Sequence, residues 1–157
     1  YEFVFGDWSS DVCSPDLSQE TVGVSPGMFD EFVFQYQESI VKRFGACYYG
    51  CCEPLHTRLP VIQRLANLRK VSVSAWADQA VMARELRPDL VFSRKPNPSL
   101  IGAGRFNEEA IRQDLRETLA ITAGRRLEII MRTVPTLAGE PDRLARWVDI
   151  ARDEIGG

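Results

Sequence analysis

The stretch that decides the fold is VSVSAWADQAVMARELRPDLVFSRKPNP, residues 71–98. Valines alternate with serines over residues 71–74, which predicts a strand. Asp78 then fits the N-cap of a helix whose apolar residues recur at helical spacing over 81–86. The apolar run at residues 90–92 predicts a second strand. A strand–helix–strand unit of this kind is typical of parallel strands joined by a covering helix.

The same unit recurs on both sides of this stretch. A helix is predicted to begin at Ser25, followed by a strand over residues 46–49 and a short helical segment. On the other side come a helix capped by Asn107, a strand over residues 127–131 and a last helix that begins near Pro141. One helix followed by four strand–helix units predicts an α/β fold with a parallel sheet.

Two architectures fit this alternation. A complete (β/α)₈ TIM barrel takes about 250 residues, so one helix plus four βα units amount to half of one. The alternative is a small open doubly wound sheet.

Apolar residues recur at helical spacing in the first helix, at Phe29, Phe32, Val33, Tyr36, Ile40 and Phe44. The last helix is expected to bury Leu144, Trp147, Val148, Ala151 and Ile155.

The first 17 residues do not follow this pattern. DWSSDVCSPDL, residues 7–17, has no apolar period, and it resembles the translation of a sequencing adapter, DWSSDVCSSDL, with Pro15 in place of Ser. We therefore expect residues 1–17 to be a non-native or irregular tail and residues 18–157 to form the domain. A capped loop or a frayed terminus is the alternative.

Composition excludes several classes of protein. The net charge is −3 and no basic patch stands out, so no nucleic-acid partner is expected. No apolar run approaches the roughly 20 residues of a membrane helix, so no membrane partner is expected either. Apart from Cys13, the cysteines are Cys47, Cys51 and Cys52, an odd and clustered set that favours a reducing compartment, the cytoplasm.

Six segments carry a resemblance to a known family. They are SPGMFDEFVFQYQESIVKRFG (25–45), YYGCCEPL (48–55), VSVSAWAD (71–78), SRKPNPSLI (93–101), EIIMRTVPT (128–136) and DRLARWVDIAR (142–152). Together they resemble the C-terminal half of the uroporphyrinogen decarboxylase superfamily, in its uroporphyrinogen-decarboxylase-like branch.

The resemblance implies half of a (β/α)₈ barrel from an enzyme that is either a lyase or a methyltransferase. Its substrate would be small and anionic or porphyrin-like, and a corrinoid protein would be a partner in the methyltransferase case. The arginines and aspartate with which the decarboxylase holds its substrate have no counterpart in this chain. We therefore expect the chain to be inactive by itself and to self-associate through its uncovered sheet edges and apolar interior.

The same resemblance raises the question of a zinc site. Zinc methyltransferases of this superfamily carry a His-x-Cys pair after this strand and another Cys after the last strand. Here Tyr49 stands at the His position, Cys51 aligns with the first Cys, and no Cys follows the last strand. Cys51, Cys52 and His56 form the rearranged metal set that remains. The favoured alternative is that these cysteines are small residues lining a pocket.

Lys95 is the most suggestive single charge, because Pro96 and Pro98 stiffen its loop. A lysine there can bind a carboxylate or phosphate, or act as an acid–base group, and a solvated loop lysine is the alternative. The predicted catalytic residues are Lys95 and Glu53. The predicted binding residues are Cys52, Ser74, Trp76, Asn97, Arg132 and Thr136. The alternative function is a stand-alone, non-catalytic α/β ligand-binding module.

Overall fold

A computed structural model of the protein describes residues 21–50, 52–131 and 134–156, together with the backbone of Val12–Cys13. The rest of the predicted tail, Cys51, Arg132 and Thr133 lie outside the described residues. The strands are β1 Val12–Cys13, β2 Ala46–Tyr49, β3 Leu68–Val73, β4 Val91–Arg94 and β5 Leu127–Ile129. The helices are α1 Pro26–Phe29, α2 Gln35–Val41, α3 Leu59–Ile62, α4 Gln79–Glu85, α5 Ser99–Gly102, α6 Glu108–Ile121 and α7 Arg143–Gly156. A π-helical segment, Asp30–Phe34, joins α1 to α2.

Helices alternate with β2 to β5 as the sequence predicts, so the α/β fold with a parallel sheet is confirmed. The expectation of an irregular tail was wrong for β1, which lies within residues 1–17 and pairs in parallel with β2. Every strand pair is parallel, and the order across the sheet is β1-β2-β3-β4-β5. Each strand therefore lies beside the one that precedes it in the chain. A doubly wound sheet differs, because its strand order reverses at one point. Because strand–helix–strand crossovers are almost always right-handed, this order places successive helices on one side of the sheet.

Side-chain alternation confirms that one face of the sheet packs on the helices. Cys47, Tyr49, Val71, Val73 and Phe92 lie in a single buried cluster with apolar residues from α1 to α4. The helices themselves pack in chain order, from the α1–α2 segment through α3 and α4 to α6 and α7. The α1–α2 segment and α7 are thus the two ends of the helical layer.

The opposite face of the sheet is polar in the described strands, so the expectation of an uncovered apolar interior was wrong. Tyr48, Lys70, Ser72, Ser93 and Glu128 alternate with the helix-facing residues of their strands, and we call these five residues the polar face. None of them belongs to either apolar cluster of the described residues. The interior of a TIM barrel is usually filled by branched aliphatic side chains, so this composition is unusual for that architecture.

The buried faces of the two end helices differ from the prediction. In the first helix Phe29, Phe34 and Val41 are buried, whereas Phe32 and Tyr36 are 59% and 64% exposed. The π-helical segment explains the change, because it spaces Phe29 and Phe34 five residues apart and so turns the next residues onto a different face. The exposed stripe of this helix consists of Met28, Phe32, Tyr36 and Ile40.

In α7 the prediction was wrong for Leu144 and Val148, which are exposed. Trp147 and Ala151 are buried as predicted, and they are joined by Ile150 and by Arg143. Leu144 and Val148 are four residues apart and lie on one helical face. Both end helices of the layer thus expose apolar stripes. Apart from these stripes, Trp76 and Val22 are the large exposed apolar residues among those the structure describes.

The local signals for helix starts are confirmed. The side chains of Ser25, Asp78 and Asn107 each accept a hydrogen bond from a backbone N–H three residues further on, at 3.2, 2.9 and 3.1 Å. The helix after Asn107 ends before Gly124, whose φ of +76° glycine adopts without strain. Among the described helices, none combines the length and the apolarity needed to cross a bilayer.

Candidate anion-binding cleft

A cleft of about 340 Å³ lies at the carboxyl ends of the parallel strands. Cys52 follows β2, Ser74 and Trp76 follow β3, Lys95 follows β4, and Pro135 follows β5. Loops at this end of a parallel sheet are where α/β folds place their ligand sites. Four residues predicted from the sequence, Cys52, Ser74, Trp76 and Lys95, therefore come together in one cavity.

Lys95 carries the positive charge of the cleft. Its backbone N–H donates to the carbonyl of Val73 at 2.8 Å, which continues the pairing of β3 with β4 by one residue. Its Nζ lies 5.5 Å from the centroid of the Tyr48 ring. The chain has three lysines, and Lys42 and Lys70 are each paired with a glutamate. Among the described residues, Lys95 takes part in no such ion pair.

Trp76 lies at the rim of the cleft with 68% of its surface exposed. Its backbone N–H lies 3.3 Å from the Ser74 Oγ, so a short turn fixes the two residues relative to each other. Asp78 caps α4, as the sequence allowed, and does not line the cleft.

Asn97 and Thr136 stabilise the loops of the cleft without lining it. The Asn97 Oδ1 accepts from the Ser99 N–H at 3.0 Å, where α5 begins. The Thr136 Oγ1 accepts from the Ala138 N–H at 3.1 Å in a similar turn. The prolines beside them, Pro96, Pro98 and Pro135, do line the cleft. Arg132, the remaining predicted binding residue, lies outside the described residues.

Glu53 faces Arg58 instead of the cleft. The Arg58 side chain is 1% exposed, and its Nη1 lies 3.8 Å from the Glu53 Oε2. The guanidinium also donates to Thr21 and lies 5.4 Å from the ring centroid of Phe29. This arrangement anchors the loop after β2 to the first helix. The catalytic role predicted for Glu53 stays a prediction.

The described residues do not fit the zinc site of the methyltransferases. Tyr49, at the position of their histidine, donates its hydroxyl to the Gln37 Oε1 at 2.8 Å on the helical side of the sheet. The Nδ1 of His56 lies 3.4 Å from the Asp78 backbone nitrogen. No group of three or more His, Cys, Asp or Glu side chains within the described ranges is arranged to hold a metal. The set with Cys51, which is not described, stays a prediction.

A hydrogen-bonded cluster on the polar face lies next to the cleft. Ser93 Oγ donates to Glu128 Oε2 at 2.7 Å and lies 3.0 Å from the Tyr48 hydroxyl. Lys70 Nζ donates to Glu128 Oε1 at 2.7 Å and lies 5.0 Å from the Tyr48 ring centroid. Sequence reasoning missed this cluster. The alternation of Tyr48 and Ser93 with helix-facing residues could have indicated that both lie on the opposite face of the sheet. No local signal in the sequence predicts that Lys70 pairs with Glu128, which is 58 residues away.

Charge on the helical side of the sheet is structural. Arg94 Nη2 donates to Asp114 Oδ1 at 3.0 Å and joins β4 to α6. Burial raises the pKa of Asp114, against the opposing effect of the Arg94 charge. Burial likewise lowers the pKa of Arg94, against the effect of the Asp114 charge. The ion pair thus ties the sheet to α6.

Comparison with known proteins finds no match: no family model, no curated protein and no solved structure matches this chain.

Proposed function

We propose that the chain is the C-terminal half of a uroporphyrinogen-decarboxylase-like (β/α)₈ barrel whose cleft binds a flat, anionic substrate. The observation that carries the proposal is the position of Lys95, a cation without a described carboxylate partner, at the carboxyl ends of parallel strands. Trp76 at the rim offers an aromatic face to a planar ligand. The resemblance of the sequence supplies the substrate class, an anionic or tetrapyrrole-like molecule.

The half-barrel architecture is supported by the sheet order and by the end helices. In a closed barrel each strand follows its neighbour in chain order, and the helices form one outer ring. A half-barrel therefore exposes one apolar helix flank at each end of its helical layer. The two exposed stripes, Met28 to Ile40 in the first helix and Leu144 with Val148 in α7, lie at those two ends.

These stripes also support self-association. A second copy that presents the α7 stripe to the first-helix stripe covers both flanks in one closed, two-fold assembly. Replacing Phe32 and Tyr36 with glutamate is expected to shift size-exclusion chromatography and analytical ultracentrifugation from dimer toward monomer. Gln35 and Ser39, which are exposed on the same helix, give the matched control of equal charge change when both are replaced with glutamate. Association that persists in the double glutamate variant contradicts this interface.

The chemistry of the parent enzyme is decarboxylation or methyl transfer. In decarboxylation, the C–C bond to the carboxylate breaks, CO₂ leaves, and the electron pair left on carbon takes up a proton. Among the described residues that line the cleft, Lys95 is the one that can hold the carboxylate of such a substrate and carry a transferable proton. Methyl transfer would require the corrinoid partner. The four missing units supply the rest of the site, so we expect no turnover by the chain alone.

The binding proposal is tested with uroporphyrin I, a planar tetrapyrrole with eight carboxylates. The full chain is titrated with the porphyrin while tryptophan emission and porphyrin anisotropy are followed. Lys95→Met is expected to weaken binding by about tenfold, the loss of one charge-assisted contact. Bound porphyrin is expected to quench the tryptophan emission, and Trp76→Leu is expected to remove most of this quenching.

The matched control is Lys42→Met, which makes the same change at a lysine outside the cleft that is paired with Glu38. This variant is expected to bind as the unaltered chain does. Equal losses in both lysine variants indicate non-specific attraction to charge, and they contradict the cleft as the site. Absence of binding by the unaltered chain contradicts the ligand class itself.

The alternative, a stand-alone α/β ligand-binding module without catalysis, predicts different solution behaviour. A self-contained domain of residues 18–157 melts cooperatively as a monomer, independent of protein concentration. A half-barrel that associates through its flanks shows a melting temperature that rises with concentration. Calorimetry over a hundredfold range of concentration separates the two readings.

A further inference from the structure

We infer that Tyr48 is a positioning residue that holds the Lys95 ammonium group at the floor of the cleft. The inference rests on the proposed function only in that Lys95 is taken as the ligand-binding charge. Tyr48 lies on the polar face of β2, two strands away from β4, which leads to Lys95, and it is 7% exposed. It is not among the cleft-lining residues, so its action is through Lys95.

The orientation of the Tyr48 ring follows from counting protons. A glutamate carboxylate paired with a lysine only accepts hydrogen bonds, so Glu128 takes the single proton of the Ser93 hydroxyl. The contact of 3.0 Å between Ser93 and Tyr48 is then made by the Tyr48 proton. Tyr48 therefore donates to Ser93, and Ser93 donates to Glu128. This directed chain fixes the phenol at its polar end.

The fixed ring then acts on the ammonium group of Lys95. The Nζ lies 5.5 Å from the ring centroid, within the range of a cation–π interaction. This ring is the aromatic partner of Lys95, whose flexible four-carbon stem would otherwise sample many rotamers. The ring thus keeps the ammonium group of Lys95 close to the polar face of the sheet.

Lys70 and Lys95 differ in their ion pairs, and this difference explains why Lys95 is the lysine that we assign to ligand binding. Both ammonium groups lie near the Tyr48 ring, at 5.0 Å for Lys70 and 5.5 Å for Lys95. The Glu128 carboxylate lies 2.7 Å from Lys70 and neutralises it. Counted over the described residues, the two lysines and Glu128 carry one net positive charge, which Lys95 presents to the cleft.

The test uses reductive methylation of the full chain with ¹³C-formaldehyde, which preserves the charge of lysine. The three lysines each give a dimethyl-ammonium NMR signal, assigned with single Lys→Arg variants. In the unaltered chain the Lys95 signal is expected to lie upfield of Lys42, because of the ring current of Tyr48. Tyr48→Leu is expected to move the Lys95 signal to the position of an exposed lysine. Tyr48→Phe keeps the ring and is expected to retain most of the upfield shift.

Circular dichroism and urea unfolding report whether the variants remain folded, and the exposed Lys42 gives the reference position of an unshifted signal. A Lys95 signal at the same position in the unaltered chain and in Tyr48→Leu overturns the inference. In the uroporphyrin I titration, Tyr48→Leu is expected to weaken binding about three- to tenfold, and Tyr48→Phe is expected to restore most of it. If the unaltered chain does not bind uroporphyrin I but the Lys95 signal shifts as described, the proposed ligand fails and the role of Tyr48 stands.

Discussion

Arg143→Met is expected to destabilise the protein by about 2 kcal/mol, because Arg143 ties α7 to the loop beyond the cleft. The Arg143 side chain is 2% exposed. It donates to the carbonyls of Ile101 and Gly104, both at 2.8 Å, and to the Glu140 carboxylate at 2.7 Å. Ile101 and Gly104 lie at the end of α5 and just beyond it, and α5 begins immediately after the proline-rich loop of Lys95.

The magnitude follows from what methionine keeps and what it loses. Hydrogen bonds from a charged donor contribute about 1.5–3 kcal/mol each, and two of them end on backbone carbonyls. The pair with the half-exposed Glu140 adds at most about 1 kcal/mol. Methionine keeps the apolar contacts of the stem and removes the cost of burying a guanidinium, including an Nε without a hydrogen-bond partner. The difference is about 2 kcal/mol, with a range of about 1–3 kcal/mol.

Urea unfolding monitored by circular dichroism measures this loss directly. Arg152→Met is the matched control, since it makes the same change on the same helix at a side chain that is 70% exposed. The control is expected to lie within about 0.5 kcal/mol of the unaltered chain. A loss below that value in Arg143→Met, or equal losses in the two variants, refutes the reasoning that the buried guanidinium anchors the loop.

Three further predictions concern single side chains. Hydrogen bonds from Arg116 and, to a smaller extent, Arg112 lower the pKa of the Glu154 carboxyl. The ionised carboxylate therefore stabilises the folded chain at pH values above the pKa of an ordinary glutamate, and this stabilisation is lost as the pH falls through the lowered pKa of Glu154. Glu154→Gln is therefore expected to flatten the acid limb of unfolding free energy measured from pH 3 to 6, and an unchanged limb contradicts this. Asp78→Ala removes the cap of α4 and is expected to cost about 1 kcal/mol in urea unfolding, with Asp149→Ala as the exposed control. Leu115→Ala, in the cluster between α6 and α7, is expected to cost about 2–5 kcal/mol by the same assay, and a cost below about 1 kcal/mol means that this helix pair is loosely packed.

Local sequence signals predicted the helix starts and the positions of the strands because their physics is local. Ser25, Asp78 and Asn107 each cap a helix through a hydrogen bond to a residue three positions away. The loops after the strands were also predictable as the site, since the carboxyl ends of parallel strands meet at one edge. This is why Cys52, Ser74, Trp76 and Lys95, chosen from three segments of sequence, line one cleft.

The buried side of the first helix was not predictable from periodicity. That helix carries apolar residues on two faces, one with Phe29 and Phe34 and the other with Phe32 and Tyr36. A hydrophobic period identifies a helix, but it does not choose between two apolar faces when both are present. The π-helical segment adds one residue to the turn at this point, and no residue type in Asp30–Phe34 signals it.

The polar face was hidden for a different reason, and it constrains whatever covers the sheet. Lys70 on β3 reaches Glu128 on β5 across the intervening strand, and this is possible because Ser93 on β4 is small. Burying that pair against an apolar layer would remove its remaining water without supplying hydrogen bonds in return. The residues that cover this face in a complete barrel must therefore bring polar side chains or ordered water at the level of Ser93. In the proposed barrel, a partner half whose inward positions at that level are all aliphatic would be incompatible with this chain.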